Sequence, residues 1–200
     1  MSGEIRPEVD ATVVILAAGQ SSRMGRAKLA LELNHSPLLN IACAKALDIS
    51  TDVIVVLGAY DTPYRQLLTQ HPSIHILHNE QWRQGIGSSV ALACQYLMSS
   101  QSQCALFLLA DQPLISSHHI DNLLQLSQTH DLCLSRYSDG HLGVPAVVQR
   151  SLFAKACSLQ RQGLKVLKGE AKSLGSVVLA EEEARDIDTP VQARALGIRL

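Results

Sequence analysis

Ala11-Thr12-Val13-Val14-Ile15 is an apolar run that leads directly into a loop of small and basic residues, Leu16-Ala17-Ala18-Gly19-Gln20-Ser21-Ser22-Arg23-Met24-Gly25-Arg26-Ala27-Lys28. The run has the composition of a β-strand that is buried on both faces. In the loop, glycine and alanine let backbone N–H groups approach phosphate oxygens, while Arg23 and Lys28 offset the phosphate charge. The stretch therefore predicts a first strand that ends in a polyphosphate-binding loop.

This loop differs from the two best-known phosphate loops. Five residues separate Gly19 from Gly25 and no Lys-Ser/Thr pair follows, so it is not a Walker loop, and the chain has no Gly-x-Gly-x-x-Gly. The alternative is an ordinary β–α turn whose glycines serve geometry and whose cations face water. Because Arg23, Gly25 and Lys28 are packed into one segment after a core strand, we favour phosphate binding.

Composition limits the class of protein. The chain has 200 residues, 46% of them hydrophobic, and a formal net charge of −1. These values predict one α/β domain over residues 11–200 after a flexible N-terminus at 1–10, with no nucleic-acid-binding surface. The longest apolar runs, such as 105–110, are too short to cross a bilayer. The first ten residues lack the apolar region of a signal peptide, so we expect a cytoplasmic protein.

The cysteines and histidines do not indicate a metal centre. No Cys-x-x-Cys spacing occurs among the five cysteines, Cys43, Cys94, Cys104, Cys133 and Cys157, whose apolar neighbours predict buried free thiols. Zinc and iron–sulfur binding are therefore not expected. His75 and His78 would point to opposite faces of a strand, and we interpret most of the eight histidines as surface or capping residues.

Apolar strands alternate with amphipathic helices along the chain. The pattern predicts strands at 52–57, 74–77 and 104–109 and helices at 62–70 and 88–98. Further along, it predicts a hairpin of strands 131–135 and 143–148, a helix at 150–158, a strand at 176–179 and a closing helix. Such alternation implies a mostly parallel sheet covered on both sides, with ligands at the carboxyl ends of its strands.

Two acidic motifs follow predicted strands. Asp111-Gln112-Pro113 comes directly after strand 104–109, where a carboxylate suits Mg²⁺ or simply begins a turn. In Asp186-Ile187-Asp188-Thr189-Pro190, alternation places Asp186 and Asp188 on one face. This pair could complete a Mg²⁺ site or help begin the last helix, with Thr189 as N-cap and Pro190 at the first position; the two interpretations are compatible.

A glycine-rich turn, Gln84-Gly85-Ile86-Gly87-Ser88-Ser89, opens the predicted helix at 88–98. Its free N–H groups could contact a nucleobase, ribose or phosphate. With equal weight, Ser88 could serve as an ordinary N-cap.

Taken in order, several motifs resemble those of the molybdopterin nucleotidyltransferase (MobA-like NTP transferase) family, and most closely its molybdenum cofactor cytidylyltransferases. They are Leu-Ala-Ala-Gly-x-Ser-x-Arg-Met-Gly-x-x-Lys, Gly-x-Gly-Ser-Ser, Asp-Gln-Pro, Gly-x-Pro and Asp-Ile-Asp-Thr-Pro, within residues 11–192. The resemblance implies a three-layer α/β/α Rossmann-like domain that uses a nucleoside triphosphate and Mg²⁺ and releases pyrophosphate.

The resemblance also implies roles for individual residues. Leu16, Ala17, Ala18 and Gly19 lie against base and phosphates, Arg23 and Lys28 hold the triphosphate, Gly87 and Ser88 lie near base and ribose, and Asp111 and Asp188 bind Mg²⁺. Arg23, Lys28 and Asp111 are the implied catalytic residues. Guanylyl-transferring relatives usually have Leu-Ala-Gly-Gly, and the methyl group of Ala18 would narrow the base pocket in favour of CTP.

One segment departs from the family pattern on the acceptor side. Where cytidylyltransferases tend to have Gly-Asp-x-Gly-Ala, this chain has Gly163-Leu164-Lys165-Val166-Leu167. The implied acceptor is molybdopterin, the molybdenum cofactor, and a molybdoenzyme or its chaperone would receive the product. Two alternatives stay open: cytidylyl or guanylyl transfer to a sugar or polyol phosphate, and a non-catalytic nucleotide-binding protein that delivers the cofactor.

Overall fold

The computed structural model describes residues 10–68 and 71–199. The described strands are β1 Ala11–Ala17, β2 Glu32–Leu33, β3 Ser36–Pro37, β4 Val53–Leu57, β5 Ile74–His78, β6 Cys104–Leu109, β7 Leu132–Arg136, β8 Leu142–Gln149 and β9 Leu174–Val178. The described helices are α1 Leu38–Leu47, α2 Asp61–Leu67, α3 Ile86–Met98, α4 Ser117–Leu126, α5 Phe153–Ala156 and α6 Pro190–Ala195. The flexible N-terminus predicted for 1–10 lies, except for residue 10, outside these residues.

Seven of these strands form one sheet in the order β5-β4-β1-β6-β8-β7-β9. The pairs β5–β4, β4–β1, β1–β6 and β7–β9 are parallel, and β8 runs antiparallel to both of its neighbours. All seven residues of β1 are buried, as the apolar run predicts for a central strand. The predicted mostly parallel sheet is confirmed.

Helices cover both faces of the sheet, which makes three layers. Val13 and Ile15 of β1 face a core that includes apolar residues of α1, α2, α4 and α6. Val14 and Leu16 face the opposite core, which includes residues of α3 and α5. This alternation follows from the two-residue period of a strand, and each fully buried Val or Ile contributes about 1.5–3 kcal/mol relative to an exposed one. The expected α/β/α fold is confirmed.

Several element boundaries differ from the sequence-based prediction. Helix α3 begins at Ile86 after Gly85, whose φ of +107° favours glycine, so Ser88 lies inside the helix and its interpretation as N-cap is wrong. The helix predicted at 150–158 is a 3₁₀ turn, Arg150–Leu152, followed by the short α5. The helix predicted at 62–70 ends at Leu67, and positions 69–70 lie outside the described residues. Helix α1 has no counterpart in the prediction.

The predicted hairpin is β7–β8, and it forms part of the main sheet because β8 pairs with β6. His119 of α4 packs against this hairpin. Unlike most histidines of the chain it is buried, and its Nε2 lies 2.7 Å from the hydroxyl of Ser135 in β7.

Cys43, Cys94, Cys104 and Cys133 are buried free thiols, and burial raises the pKa of Cys104 to about 11. Within the described ranges, no helix is both long and apolar enough to span a membrane.

Candidate active site at the ends of β1 and β6

The loop that follows β1 is held by its own backbone and by one buried side chain. The N–H groups of Met24 and Gly25 donate to the carbonyl of Ser21 at 2.9 and 3.2 Å. Met24 packs into the core, while the side chain of Arg23 is 70% exposed. Gly25 has a φ of +66°, in the left-handed region that glycine adopts without strain. The loop is therefore anchored at Met24, while the Arg23 side chain lies at the protein surface.

Lys28 lies where this loop returns to the sheet edge, in a 3₁₀ turn, Lys28–Ala30. The next residue, Leu29, is buried, and its N–H donates to the hydroxyl of the buried Tyr64 of α2 at 3.2 Å. This anchor directs Lys28 inward, and its side chain is only 9% exposed. Lys28 is thus a nearly buried cation at the carboxyl end of the sheet.

Two carboxylates converge on the ammonium group of Lys28. Its Nζ donates to Oδ2 of Asp111 at 2.5 Å and to Oδ1 of Asp188 at 2.7 Å. Arg23 also pairs with Asp188, at 2.7 Å. Burial lowers the pKa of Lys28, but the charges and hydrogen bonds of the two carboxylates raise it more, so its pKa lies above the usual value. Lys28 therefore stays charged.

The two carboxylates come from distant parts of the chain that the backbone joins. The N–H of the buried Ile187 donates to the carbonyl of Asp111 at 3.2 Å, which ties the segment before α6 to the end of β6. Thr189 caps α6 in a capping box with Gln192, and Pro190 occupies the first turn. The predicted cap is confirmed, and it coexists with Asp188 in the site.

Asp186 is held apart from this cluster by a side-chain network that the sequence did not indicate. Nε2 of Gln112 donates to Oδ1 of Asp186 at 2.7 Å and to the hydroxyl of Tyr137 at 2.9 Å. The Tyr137 hydroxyl in turn donates to the carbonyl of Val144. Burial, followed by the nearby charge of Asp111, raises the pKa of Asp186. The network links the end of β6 to the β7–β8 hairpin.

Two adjoining clefts open over the cluster and share Leu16, Gly19 and Asp111. One, of about 250 Å³, is also lined by Ala17, Ser21, Ser22, Arg23, Lys28, Leu29 and Asp188. The other, of about 310 Å³, is also lined by Ala18, Gln20, Trp82, Arg83, Gly85, Ile86, Ser89 and Leu109. The first is charged and the second largely apolar, as the phosphates and the base of a nucleotide require.

Trp82 and Arg83 form an outer wall of the apolar cleft, and the sequence-based prediction did not include them. The guanidinium carbon of Arg83 lies 4.2 Å from the centre of the Trp82 ring. A signal was available, because Trp82 is the single tryptophan of the chain and lies two residues before the glycine-rich turn. Its position beside Ala18 depends on packing between β4 and α3.

Gly87 and Ser88 lie behind this wall. A Cβ atom at Gly87 would collide with the backbone oxygens of Gln160 and Gln162, so glycine here permits close packing of α3. Ser88 is buried, and its hydroxyl accepts from Nδ2 of Asn79 at 2.9 Å. Neither residue lines the two clefts, whereas the other eight predicted site residues do. Contact of Gly87 and Ser88 with base or ribose stays a prediction.

The residues present fit a Mg²⁺ ion. Asp111 and Asp188 aim carboxylate oxygens at one point, and Mg²⁺ prefers one or two carboxylates together with phosphate oxygens and water. Across 10–68 and 71–199, no group of three or more His, Cys, Asp or Glu side chains could hold a metal ion. Asp111 and Asp188 would therefore hold Mg²⁺ together with a phosphate ligand.

The site thus combines a three-layer fold, a basic loop after its first strand and paired carboxylates beside that loop. The model of the MobA-like NTP transferase domain matches residues 13–175, so the chain belongs to this family. Purine catabolism protein PucB of Bacillus subtilis is 30% identical over 195 residues, covering 88% of this chain and 91% of the relative. Molybdenum cofactor cytidylyltransferase of Escherichia coli is 27% identical over 182 residues, covering 88% and 90%.

Solved structures show the same fold. The crystal structure of Rv0371c from Mycobacterium tuberculosis superposes with a TM-score of 0.76 at 20% identity, covering 93% of this chain and 97% of that one. At this identity the likeness supports the fold alone, while the family match shows that the chain is a nucleotidyltransferase.

Proposed function

We propose that this nucleotidyltransferase transfers CMP from CTP to a terminal phosphate of molybdopterin, the molybdenum cofactor, and releases pyrophosphate with Mg²⁺ as cofactor. The observation that carries the proposal is Lys28 paired with Asp111 and Asp188 on the floor of the charged cleft. A relative at 27% identity is a molybdenum cofactor cytidylyltransferase, which supports the acceptor.

The chemistry is an in-line displacement at the α-phosphorus. A phosphate oxygen of the acceptor forms the new P–O bond while the bond to the β-phosphate breaks and pyrophosphate leaves. An ionised phosphate is already a nucleophile, so no general base is needed. Lys28 and Arg23 stabilise the charge that develops on pyrophosphate, and alignment in the cleft supplies the remaining catalysis.

A Mg²⁺ ion held by Asp111 and Asp188 would offset the negative charge of the α-phosphate. The protein's own part is to hold the two carboxylates at a common point through the hydrogen bond between the Ile187 N–H and the Asp111 carbonyl. In this proposal, a molybdoenzyme or its chaperone then receives the cytidylylated cofactor.

Preference for cytidine is supported by the packing of Ala18. A Cβ atom at Gly58 would lie 2.9 Å from Cβ of Ala18 and 2.8 Å from Cβ of Trp82, so these three residues are in close contact. The methyl group of Ala18 therefore has no room to retreat from the apolar cleft. It narrows the space for a base, which favours a pyrimidine over a purine.

A second candidate keeps the donor and changes the acceptor to a sugar or polyol phosphate. It is favoured by the segment Leu164–Gly169, a 3₁₀ helix that buries Leu164 and Leu167 in the core. Its basic neighbours Arg161, Lys165 and Lys168 are exposed. The polar pattern of the cytidylyltransferases is thus replaced by apolar packing on the acceptor side.

Pyrophosphate release tests these candidates. The protein is incubated with CTP, GTP or ATP and Mg²⁺, each with and without molybdenum cofactor. We expect release with CTP that depends on the cofactor. Release with CTP that needs a sugar or polyol phosphate instead would support the second candidate. Nucleotide binding without release under any condition would indicate a cofactor-delivery protein and contradict both.

A further inference from the structure

We infer that Lys28 keeps the metal position closed until a nucleotide arrives, so that metal and nucleotide bind together and the free ion binds poorly. The inference rests on the proposed function in one respect, that the ligand carries phosphates. It adds an order of events that the function itself does not require.

The ammonium group occupies the place that a shared metal ion needs. Nζ of Lys28 lies 2.5 Å from Oδ2 of Asp111 and 2.7 Å from Oδ1 of Asp188. A Mg²⁺ ion coordinates carboxylate oxygens at about 2.0–2.1 Å. An ion that bridged the same two oxygens would overlap the ammonium group. Lys28 must therefore give up both carboxylates before such an ion can bind.

Burial makes this departure costly when no nucleotide is present. The Lys28 side chain is 9% exposed, so its charge cannot simply turn into water. The described lining of the charged cleft holds no third carboxylate, and nearby Asp186 is already hydrogen-bonded to Gln112. A displaced ammonium group would then be a nearly buried charge that has no partner and lies beside a divalent cation. Such an arrangement is strongly unfavourable in free energy.

A triphosphate removes this cost, because it brings new partners for both charges. Its oxygens can accept hydrogen bonds from Lys28 and complete the coordination of the metal. The exchange converts Lys28–carboxylate contacts into Lys28–phosphate and metal–carboxylate contacts. Each ligand thereby raises the affinity for the other, as thermodynamic linkage requires.

Arg23 provides the contrast that makes the inference testable. Like Lys28, it carries one positive charge and pairs with Asp188 at 2.7 Å, but its side chain is 70% exposed. It can leave Asp188 for water at little cost, since exposed ion pairs contribute little. Removing Arg23 deletes the same charge without opening the metal position.

The experiment measures Mn²⁺ binding to the full chain by electron paramagnetic resonance. Binding is titrated with no nucleotide and then with cytidine 5′-(α,β-methylene)triphosphate, which cannot release pyrophosphate. In the unsubstituted protein we expect the analogue to tighten Mn²⁺ binding at least about tenfold. We expect Lys28→Met to tighten nucleotide-free binding at least about tenfold, and Arg23→Met to change it less than about threefold.

Two outcomes would overturn the inference. One is nucleotide-free Mn²⁺ binding by Lys28→Met that is no tighter than in the unsubstituted protein. The other is equal tightening by Arg23→Met, which would indicate general electrostatics. Asp188→Asn should weaken binding in every case, which locates the ion, and circular dichroism verifies that each variant is folded. If Lys28→Met is unfolded, Lys28→Gln replaces it.

The metal titration without nucleotide needs no knowledge of the substrate. If the methylene analogue of CTP fails to bind while Lys28→Met still tightens Mn²⁺ binding, the choice of CTP is wrong and the closed metal position stands. If the analogue binds but Lys28→Met has no effect, the proposed function stands and the inference fails.

Discussion

The loop at 16–28 and the segment at 163–169 flank the same sheet but differ in what their residues do. In the loop, Met24 is buried as one anchor, Leu29 directly after the loop is buried as a second, and Lys28 between them is directed at two carboxylates. In the segment, Leu164 and Leu167 are buried, and the charged residues between and beside them are exposed. The loop therefore places a paired charge in the cleft, whereas the segment contributes apolar packing to the core.

The largest expected effect concerns the donor side. Lys28→Ala or Asp111→Ala should lower the rate of pyrophosphate release by about 10²–10³ or more, because each removes charge stabilisation at the reacting phosphates. Steady-state pyrophosphate assays measure the loss. Lys165→Ala is the matched control on the acceptor side, where an exposed charge should matter little. A near-normal rate in Lys28→Ala or Asp111→Ala would contradict the assigned roles.

Substitution of a buried residue in the segment at 163–169 should lower the stability of the protein. Leu167→Ala leaves a cavity in the core beneath 163–169 and should lower the free energy of unfolding by about 2–5 kcal/mol. Urea denaturation followed by circular dichroism measures this change. The neighbouring exposed residue gives the control, Lys168→Ala, with an expected change within about 0.5 kcal/mol. Equal stability of the two variants would show that the segment is not part of the core.

A smaller effect should appear in nucleotide choice. Ala18→Gly removes the methyl group that packs against Gly58 and Trp82. The kcat/KM for GTP should therefore rise relative to the kcat/KM for CTP. One methyl group in an apolar pocket changes discrimination by about 10–200-fold. The ratio of kcat/KM for the two nucleotides measures it. Ala17→Gly serves as control because Ala17 lines the charged cleft instead. An unchanged ratio in Ala18→Gly would place base selection elsewhere.

The smallest effect concerns pH and the hairpin side of the sheet. Burial lowers the pKa of His119 more than the nearby Glu183 carboxylate and the Val178 backbone raise it. The unfolded chain therefore binds this proton at higher pH than the folded one, so stability is full above about pH 6.5 and falls as the pH drops below it. Urea denaturation at pH 7.5 and 5.5 measures the change.

Two variants isolate this contribution. The control is Gln125→Ala at an exposed, non-titrating position of α4, which should leave the pH dependence as it is. His119→Gln should flatten it. A pH dependence that is the same in both variants would show that His119 titrates as freely as an exposed histidine.

Most residues that line the charged cleft could be placed there without coordinates. The residues 16–28 and Asp111 directly follow apolar strands, and strand ends in a parallel sheet meet at one edge. Asp188 lies ten residues after β9 and was indicated by its motif alone. Local patterns also predicted the cap at Thr189 and the β7–β8 hairpin. Boundaries were less accurate at 150–158, where the chain turns into a 3₁₀ segment before α5.

What the amino-acid order established is the fold class, the family and the chemical nature of the loop, because each is written in local periodicity and in motifs. The tertiary structure alone brought Trp82 beside Ala18, held Asp186 on Gln112, and aimed Asp111 and Asp188 at Lys28 from positions far apart in the chain. These contacts depend on how strands and helices pack, and no local pattern records a distance between residues that meet only in the folded protein.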